Sequence, residues 1–361
     1  MRIREAQVIA RILRLLEQVS GSRPTLTVPP TRGLGAWHFF LQVGRSRFSV
    51  DMRPSSATAA VAAAIARLEI VKNNTPKSVE LIPIVAVPYM GEVGKLLCEK
   101  AGVNWIDLSG NAHLVAPGLR IHIVGHANQY KQSGRPSDVF APKSARITRY
   151  LLRHWYSAFS LRKLAAKTGM DPGFTSRIVR TLESQGFVLR AEAKDVSRGG
   201  DLIGARDPGL LLDAWRARYD FFRHHVIQGH VAARTGEDLL REVAGKLDKL
   251  ASRGIEYAAT GLGAAWLRTH FAGFRLATFY LREAPADELL QELGFREDPK
   301  GANLWLAVSN DDGVFEGAEA VEGVQCVHPI QLYVDLKDQP ERSAEAAENL
   351  RSSLFGVAEH G

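Results

Sequence analysis

Two acidic residues in the first part of the chain, Asp51 and Glu80, are the side chains that could form a metal-dependent nuclease site. In such a site two carboxylates on adjacent strands hold a hard divalent cation, and a lysine beside it steadies the attacking water. Ile82 occupies the position after Glu80 at which lysine is needed, and Lys77 precedes Glu80 by three residues. A nuclease acting through Asp51 and Glu80 is therefore the alternative hypothesis, and the sequence favours no catalytic activity.

Three histidines, His224, His225 and His230, are further candidates for metal ligands. His225 and His230 are five residues apart, so they do not share a helix face, and no cysteine lies near them. The chain has no G-x-x-x-x-G-K-[ST] loop, and the segment GLGAAW at 261–266 lacks the last glycine of a dinucleotide fingerprint. The sequence thus predicts no metal and no other cofactor.

Residues 160–190, SLRKLAAKTGMDPGFTSRIVRTLESQGFVLR, indicate binding to a polyanion. The last helix of this region has an apolar face formed by Ile178, Val179 and Leu182, and its other face is polar and cationic. The DNA major groove accepts one α-helix, whose N-terminal part reaches the base edges. The predicted DNA-binding residues are Arg162, Lys163, Phe174, Thr175, Ser176, Arg177, Arg180, Lys194 and Arg198.

These residues are expected to make different kinds of contact. Arg177 is suited to donate to guanine, Phe174 to contact a thymine methyl, and Thr175 and Ser176 to bond phosphates or base edges. The cations outside this helix are expected on backbone phosphates: Arg162, Lys163, Lys194 and Arg198.

The elements around this helix follow the plan of a winged helix–turn–helix. Ser160 and Asp171 are expected to cap the second and third helices, and Pro172 suits a first helical position. The predicted order is helix, helix, helix, strand and hairpin tip: Ala145–Trp155, Leu161–Lys167, residues 172–185, Phe187–Ala193 and Asp195–Gly204.

The charge of the chain is concentrated in this region. Of the formal net charge of +7, residues 143–206 carry 13 basic against 5 acidic side chains, whereas residues 281–361 carry 6 against 17. A strongly basic block is a candidate surface for a polyanion, and the acidic last segment is not. The two cysteines do not form a disulfide framework, no apolar run could span a membrane, and the first residues do not form a signal peptide, so a cytoplasmic location is expected.

The segments on either side of the basic block have the pattern of α/β domains, with α+β left open. The apolar run Leu81–Val87 predicts a strand buried on both faces. A proline-containing linker is expected around residues 24–30, a strand at Ile330–Leu336, and at Asp335 a cap or turn residue. The predicted domains are 1–130, 140–206 and 207–361.

Residues 101–125, AGVNWIDLSGNAHLVAPGLRIHIVG, resemble a segment that precedes winged-helix domains in bacterial proteins of the AbiEi antitoxin type. Residues 328–351, HPIQLYVDLKDQPERSAEAAENLR, are similar to the C-terminal segment of those regulators. The resemblance implies a restriction-endonuclease-like fold for residues 1–130, inactive here.

Residues 260–267, TGLGAAWL, and 274–281, FRLATFYL, resemble the glycine-rich helix entry and the following strand of nucleotidyltransferases. That strand carries Leu276, Ala277 and Thr278 in place of the two acids that hold Mg²⁺. Residues 207–361 are thus expected to be a degenerate nucleotidyltransferase-like domain or a plain α/β domain.

Together, these resemblances imply a transcriptional regulator and antitoxin of a type IV toxin–antitoxin system, repressing its own operon without enzymatic activity. The expected partner is double-stranded promoter DNA. A cognate toxin and a second copy of the chain are left open as further partners.

Overall fold

The computed structural model describes residues 5–33, 36–76, 79–130, 138–191, 202–251 and 256–355. It has a mixed α/β structure, which confirms the fold class at that level. Its contacts divide the chain into two units. The N-terminal unit comprises Met1–Pro136 and Thr181–Val188, and the C-terminal unit comprises Ser137–Arg180 and Leu189–Gly361.

A seven-stranded sheet, with its strands in sequence order, forms the N-terminal unit. Neighbours are antiparallel from β1 to β3, parallel from β3 to β5 and antiparallel from β5 to β7. Each parallel connection carries a helix, because parallel neighbours require a crossover. The elements are α1 Glu5–Ser20, β1 Thr25–Gly33, β2 Ala36–Val43, β3 Ser46–Met52, α2 Thr58–Asn73, β4 Ile82–Val87, α3 Glu92–Lys100, β5 Asn104–Asp107, β6 Ala112–Ala116 and β7 Leu119–Ile123.

Both faces of this sheet are covered. Ile12 of α1 packs in the same core as Ile84 of β4, whereas Val61 of α2 packs in the other core with Val85. Neighbouring residues of β4 therefore point into opposite cores, which is why its sequence is apolar without alternation. The prediction of a strand buried on both faces is confirmed.

Strand β1 occupies the segment predicted as a linker around residues 24–30. Its pairing with β2 is irregular between Leu26 and Val28 and again between Val28 and Thr31. Pro29 and Pro30 lie within the second irregularity, and β1 is at the edge of the sheet. Proline lacks an N–H, but an edge strand with an interrupted ladder accommodates it. The linker prediction was wrong for this reason.

From residue 142 onward, the described chain contains two further sheets. The smaller has the order β8-β10-β9, and the larger the order β14-β11-β15-β13-β12-β17-β16. The elements are α4 Pro142–Arg153, β8 Ala158–Ser160, α5 Leu161–Lys167, α6 Pro172–Ser184, β9 Val188–Ala191, β10 Leu202–Ala205, α7 Pro208–Arg218, β11 His225–His230, α8 Gly236–Ala251, β12 Tyr257–Thr260, α9 Gly261–Thr269, β13 Ala277–Leu281, α10 Asp287–Leu293, β14 Arg296–Glu297, β15 Leu304–Val308, β16 Glu319–Val321, β17 Val324–Cys326, α11 Pro329–Asp335 and α12 Ser343–Leu354. Single 3-10 turns lie at Phe221–Arg223, Asp312–Phe315 and Leu336–Asp338.

Helix α11 replaces the strand predicted at Ile330–Leu336. Pro329 occupies its first turn, and the His328 ring accepts a hydrogen bond from the Ile330 N–H at 3.2 Å, capping the helix. Proline suits this position because its missing N–H has no partner in a first helical turn anyway. The apolar residues of the segment suggested a strand, but the cap and the proline favour the helix.

Candidate nucleic-acid interface

Helices α5 and α6 are positioned by the caps that the sequence predicted. The Ser160 hydroxyl accepts from the Lys163 N–H at 3.3 Å, and the Asp171 carboxylate accepts from the Phe174 N–H at 2.9 Å. Gly169, in the turn between the helices, has a φ of +62°, a conformation that side chains with a Cβ disfavour. These local interactions fix where each helix begins.

The two faces of α6 differ as predicted in burial. Ile178, Val179 and Leu182 are fully buried, whereas Arg177 and Arg180 are exposed. Because the exposed pair is cationic, this face of α6 presents positive charge to solvent.

The aromatic and hydroxyl residues at the start of α6 have distinct surroundings. Phe174 and Ser176 are half-buried, and the Arg177 guanidinium lies 5.6 Å from the centre of the Phe174 ring. This cation–π contact places the Arg177 side chain against the ring. Phe174, Ser176 and Arg177 thus border one accessible patch at the N-terminal end of the helix.

Thr175 does not belong to this patch. Its side chain is fully buried, and its hydroxyl donates to the Asp171 carbonyl at 2.9 Å within the first turn of α6. A buried hydroxyl that already donates to its own helix cannot reach a nucleic acid. Thr175 is therefore withdrawn from the predicted DNA contacts.

The predicted phosphate contacts are only partly within the described chain. Arg162 and Lys163 are exposed at the start of α5, and the Lys163 ammonium lies 5.2 Å from the centre of the Phe159 ring. Lys194 and Arg198 lie outside the described residues. The exposed cations on the described parts of α5 and α6 are Arg162, Lys163, Lys167, Arg177 and Arg180.

Three arginines of α4 belong to the basic block but have partners inside the protein. Arg146 pairs with Asp311 at 2.8 Å and Arg153 with Glu316 at 3.8 Å. Between them, Arg149 is buried and donates from Nε and Nη2 to the Gln331 amide oxygen at 3.0 and 2.8 Å. The charge count overestimated the exposed cations, because these three hold α4 to the rest of the C-terminal unit.

The acids of the nuclease alternative are not brought together. Asp51 on β3 is fully buried and pairs with Arg53 at 2.5 Å and Arg67 at 3.6 Å. Burial raises the pKa of this carboxyl, and both arginines oppose that rise. Glu80 is exposed and lies five residues before Val85, the β4 neighbour of Asp51 in the sheet. Glu80 lies two residues before β4 begins at Ile82, so the strand register does not place it beside Asp51.

The histidines named as candidate metal ligands do not form a metal site in the described part of the chain either. Within the described ranges, no group of three His, Cys, Asp or Glu side chains could hold a metal ion. His224 is buried, and its Nδ1 accepts from the Asn310 N–H at 3.1 Å, while His225 is exposed on β11. Burial lowers the pKa of His224 to about 4, so the ring is neutral at pH 7.

A buried carboxylate, Asp335, joins several elements of the C-terminal unit, a role that the sequence did not predict for it. Its Oδ1 accepts from the Tyr219 hydroxyl at 2.6 Å, the Tyr280 hydroxyl at 2.8 Å and the Gln331 amide at 2.7 Å. Its Oδ2 accepts from the Thr260 hydroxyl at 2.6 Å. Burial raises the pKa of Asp335 to about 6, against these four hydrogen bonds.

This Asp335 cluster crosses the C-terminal unit. Thr260 ends β12, Tyr280 is on β13 and Asp335 ends α11, and the Tyr219 and Tyr280 hydroxyls both lie within 3.3 Å of Nε2 of His224. Asp335 is therefore a structural anchor: it precedes the 3-10 turn Leu336–Asp338, but its side chain does not cap that turn as the sequence suggested. The signal available in the sequence was the i, i+4 spacing of Gln331 and Asp335 on a helix begun by proline.

The segment resembling a nucleotidyltransferase has the expected strand, glycine and helix. Gly261 follows β12 with a φ of +66°, and a Cβ there would come within 2.1 Å of the Gln339 side chain. Strand β13, which should carry two acids, pairs with β12 so that Thr278 lies opposite Thr260. Two buried hydroxyl side chains, Thr260 and Thr278, thus lie opposite each other on β12 and β13.

The second part of the chain is similar to a known family of regulators. Residues 206–354 match the family model of the transcriptional regulators described as AbiEi antitoxins of type IV toxin–antitoxin systems. The family recognised from the sequence is confirmed for this segment, which contains the Asp335 cluster.

Two further comparisons were made over the whole chain. No curated protein matches it. Among solved structures, it is similar to EndoMS in its apo form, at 15% identity and a TM-score of 0.24 over 30% of this chain. The match spans 47%, about half, of the EndoMS chain. No helix in the ranges that the model describes is long and apolar enough to cross a membrane.

Proposed function

We propose that this protein is a sequence-specific, double-stranded DNA-binding transcriptional regulator of the antitoxin type, with no catalytic activity. The observation that carries the proposal is the exposed cationic face of α6, with Arg177 and Arg180 directed away from a buried apolar face. The family match of residues 206–354 supports the regulatory role. In this proposal, residues 140–206 are a winged helix–turn–helix, and α6 enters the major groove.

In this proposal, the regions on either side of residues 140–206 act as scaffolds for the DNA-binding segment. Residues 1–130 are a restriction-endonuclease-like domain without a working metal site, and residues 207–361 are a degenerate nucleotidyltransferase-like domain. The register of β3 and β4, in which Asp51 lies opposite Val85 and Glu80 takes no part, supports the first assignment. The second assignment is supported by Leu276, Ala277 and Thr278, which stand where a nucleotidyltransferase would carry its two acids.

The natural target to test is the promoter of the protein's own operon, bound in the cytoplasm. DNase footprinting of that promoter with the purified full chain should give a protected repeat at concentrations that leave a scrambled sequence of equal composition unprotected. Equal protection of both sequences would contradict sequence-specific regulation.

Nuclease activity is the alternative, and it is tested separately. Supercoiled plasmid incubated with the full chain and either Mg²⁺ or Mn²⁺ should remain uncut. Cleavage that Asp51→Ala abolishes would replace the proposed function with that of an enzyme.

A cognate toxin is a second proposed partner, favoured by the charge of the segment from 283 to 297. Exposed acids follow one another there on and around α10: Glu283, Asp287, Glu288, Glu292 and Glu297. Such a surface suits a basic protein. The product of the neighbouring toxin gene should co-purify with the chain, and replacing the five acids with their amides should abolish co-purification while DNA binding persists.

A further inference from the structure

A pocket lies at one end of the C-terminal unit, where α4, α7 and the start of β11 meet. The space that it encloses is about 30 Å³, and beyond that the pocket is open to solvent. The floor is formed by buried side chains, Arg149, Trp215 and His224, and two exposed arginines, Arg218 and Arg223, border the opening. The proposed DNA-binding face does not include any of these residues.

Two N–H donors on the floor of this pocket have no acceptor. Arg149 is 2% exposed and Trp215 is fully buried. Among the residues that the model describes, Nη1 of Arg149 and Nε1 of Trp215 have no hydrogen-bond partner. The Arg149 guanidinium lies 5.2 Å from the centre of the Trp215 ring, so the two side chains that carry these donors are neighbours. Buried donors are paired in nearly all proteins, and two unpaired donors in one pocket indicate an acceptor-rich ligand.

The electrostatics of the pocket favour an anion. The Arg149 guanidinium remains charged, and its hydrogen bonds end on the neutral amide of Gln331. The two acids of the lining bond elsewhere, since Asp311 accepts from Arg146 and Asp220 accepts from a backbone N–H. His224 adds no negative charge. Glu316, Asp311 and Asp335 act on this charge from a distance, but none of them bonds to it directly in the described structure, and an oxyanion would be a direct partner.

We propose that this pocket binds a small phosphate-bearing ligand, whose oxygens accept hydrogen bonds from Arg149 Nη1 and Trp215 Nε1. Phosphate has several acceptor oxygens and matches guanidinium geometry, and Arg223 attracts it at the opening, where Arg218 is paired with Asp138 at 3.2 Å. The Trp215 and Tyr219 rings line the pocket beside the anion site and can contact an organic portion of the ligand. This site goes beyond the proposed DNA binding and does not depend on it.

Isothermal titration calorimetry on the full chain tests the site, with inorganic phosphate and adenosine monophosphate as separate probes. At least one probe should bind saturably at one site. Equal affinity for both identifies free phosphate as the recognised unit, and tighter binding of the nucleotide identifies a phosphorylated organic ligand. The absence of saturable binding of either probe would overturn the proposal.

Two conservative variants locate the binding. Trp215→Phe keeps an aromatic side chain but removes the N–H donor. It should weaken binding about fivefold, as the loss of one net hydrogen bond predicts. Arg149→Met should weaken binding more than tenfold. The matched controls Trp266→Phe and Arg153→Met, whose side chains do not line the pocket, should leave the affinity unchanged.

The exposed rim provides a test that does not depend on the core. Arg223→Ala, on the surface, should fold like the parent chain and weaken binding about threefold or more, even where Arg149→Met fails to fold. Parental affinity in both Trp215→Phe and Arg223→Ala would place the ligand elsewhere and overturn the proposal.

Discussion

Arg146 of α4 donates from Nε to both carboxylate oxygens of Asp311, at 2.8 and 2.9 Å, although 165 residues separate them in the sequence. Asp311 precedes the 3-10 turn Asp312–Phe315 and also accepts from the Gly313 N–H at 2.9 Å. This two-point contact, together with those of Arg149 and Arg153, attaches the first helix of the proposed DNA-binding region to the family-matched region. The C-terminal unit therefore includes α4 as part of its own structure.

The Arg146–Asp311 pair should contribute measurably to stability. A double-mutant cycle of Arg146→Ala and Asp311→Ala, followed by urea denaturation, should give a coupling of about 2 kcal/mol, because the pair is charged, two-point and partly buried. The exposed pair of Lys246 and Glu242 is the control, with a coupling of at most about 0.5 kcal/mol. Equal couplings would contradict the role assigned to Arg146.

The Asp335 cluster should be the most sensitive polar site of the C-terminal unit. Asp335→Ala leaves four buried donors without their acceptor, so we expect the free energy of unfolding to fall by about 3–5 kcal/mol. Tyr280→Phe removes one of these bonds and should lower it by about 1–2 kcal/mol. Urea denaturation followed by tryptophan fluorescence measures both. If Asp335→Ala lowered the free energy of unfolding less than Tyr280→Phe does, Asp335 would have no anchoring role.

Two histidines, the buried His224 and the half-buried His328, should make stability depend on pH. Burial lowers the pKa of His328 to about 3 and that of His224 to about 4, from 6.5 in an unfolded chain. Between pH 4 and 6.5 the unfolded state then binds more protons than the native state, so these histidines make stability rise with pH. Asp335, with its pKa raised from 3.8 to about 6, opposes this rise.

His328→Asn keeps an acceptor to cap α11 but removes one titrating group. Its urea midpoint should therefore increase less than that of the parent chain between pH 4 and 6.5, whereas the midpoint of Asp335→Asn should increase more steeply. Identical pH profiles for the parent and His328→Asn would show that His328 does not titrate in this range.

Helix α6 illustrates how much of the candidate site could be predicted from sequence. Its start at Pro172, its cap at Asp171 and its buried face are set by neighbours in the chain, and local patterns report such interactions. The position of Thr175 depends on the angle at which α6 packs, so a residue next to the predicted surface turned out to be buried. The partners of Arg146 and Arg149 lie 165 and 182 residues away and leave no local signal.

The two hydroxyl residues at the start of α6 should behave differently in DNA binding. Thr175→Val preserves the shape of a buried side chain and should leave the affinity for operator DNA unchanged, although it removes a hydrogen bond within the helix. Ser176→Ala, at a half-buried neighbour, should reduce the affinity. Fluorescence anisotropy with labelled operator measures both, and a greater loss for Thr175→Val would restore Thr175 to the interface.

The proposed DNA-binding role is tested most directly by the affinity of Arg177→Ala for operator and for scrambled DNA. Anisotropy should show a loss of about 1–3 kcal/mol for the operator and a smaller loss for scrambled DNA, because Arg177 reads a base. Arg162→Ala should weaken both about equally and reduce the salt slope by about one, as expected for a phosphate contact. The exposed Arg296, on β14, provides the control Arg296→Ala, which should bind like the parent chain. Parental affinity of both Arg177→Ala and Arg162→Ala for the operator would contradict DNA recognition through α5 and α6.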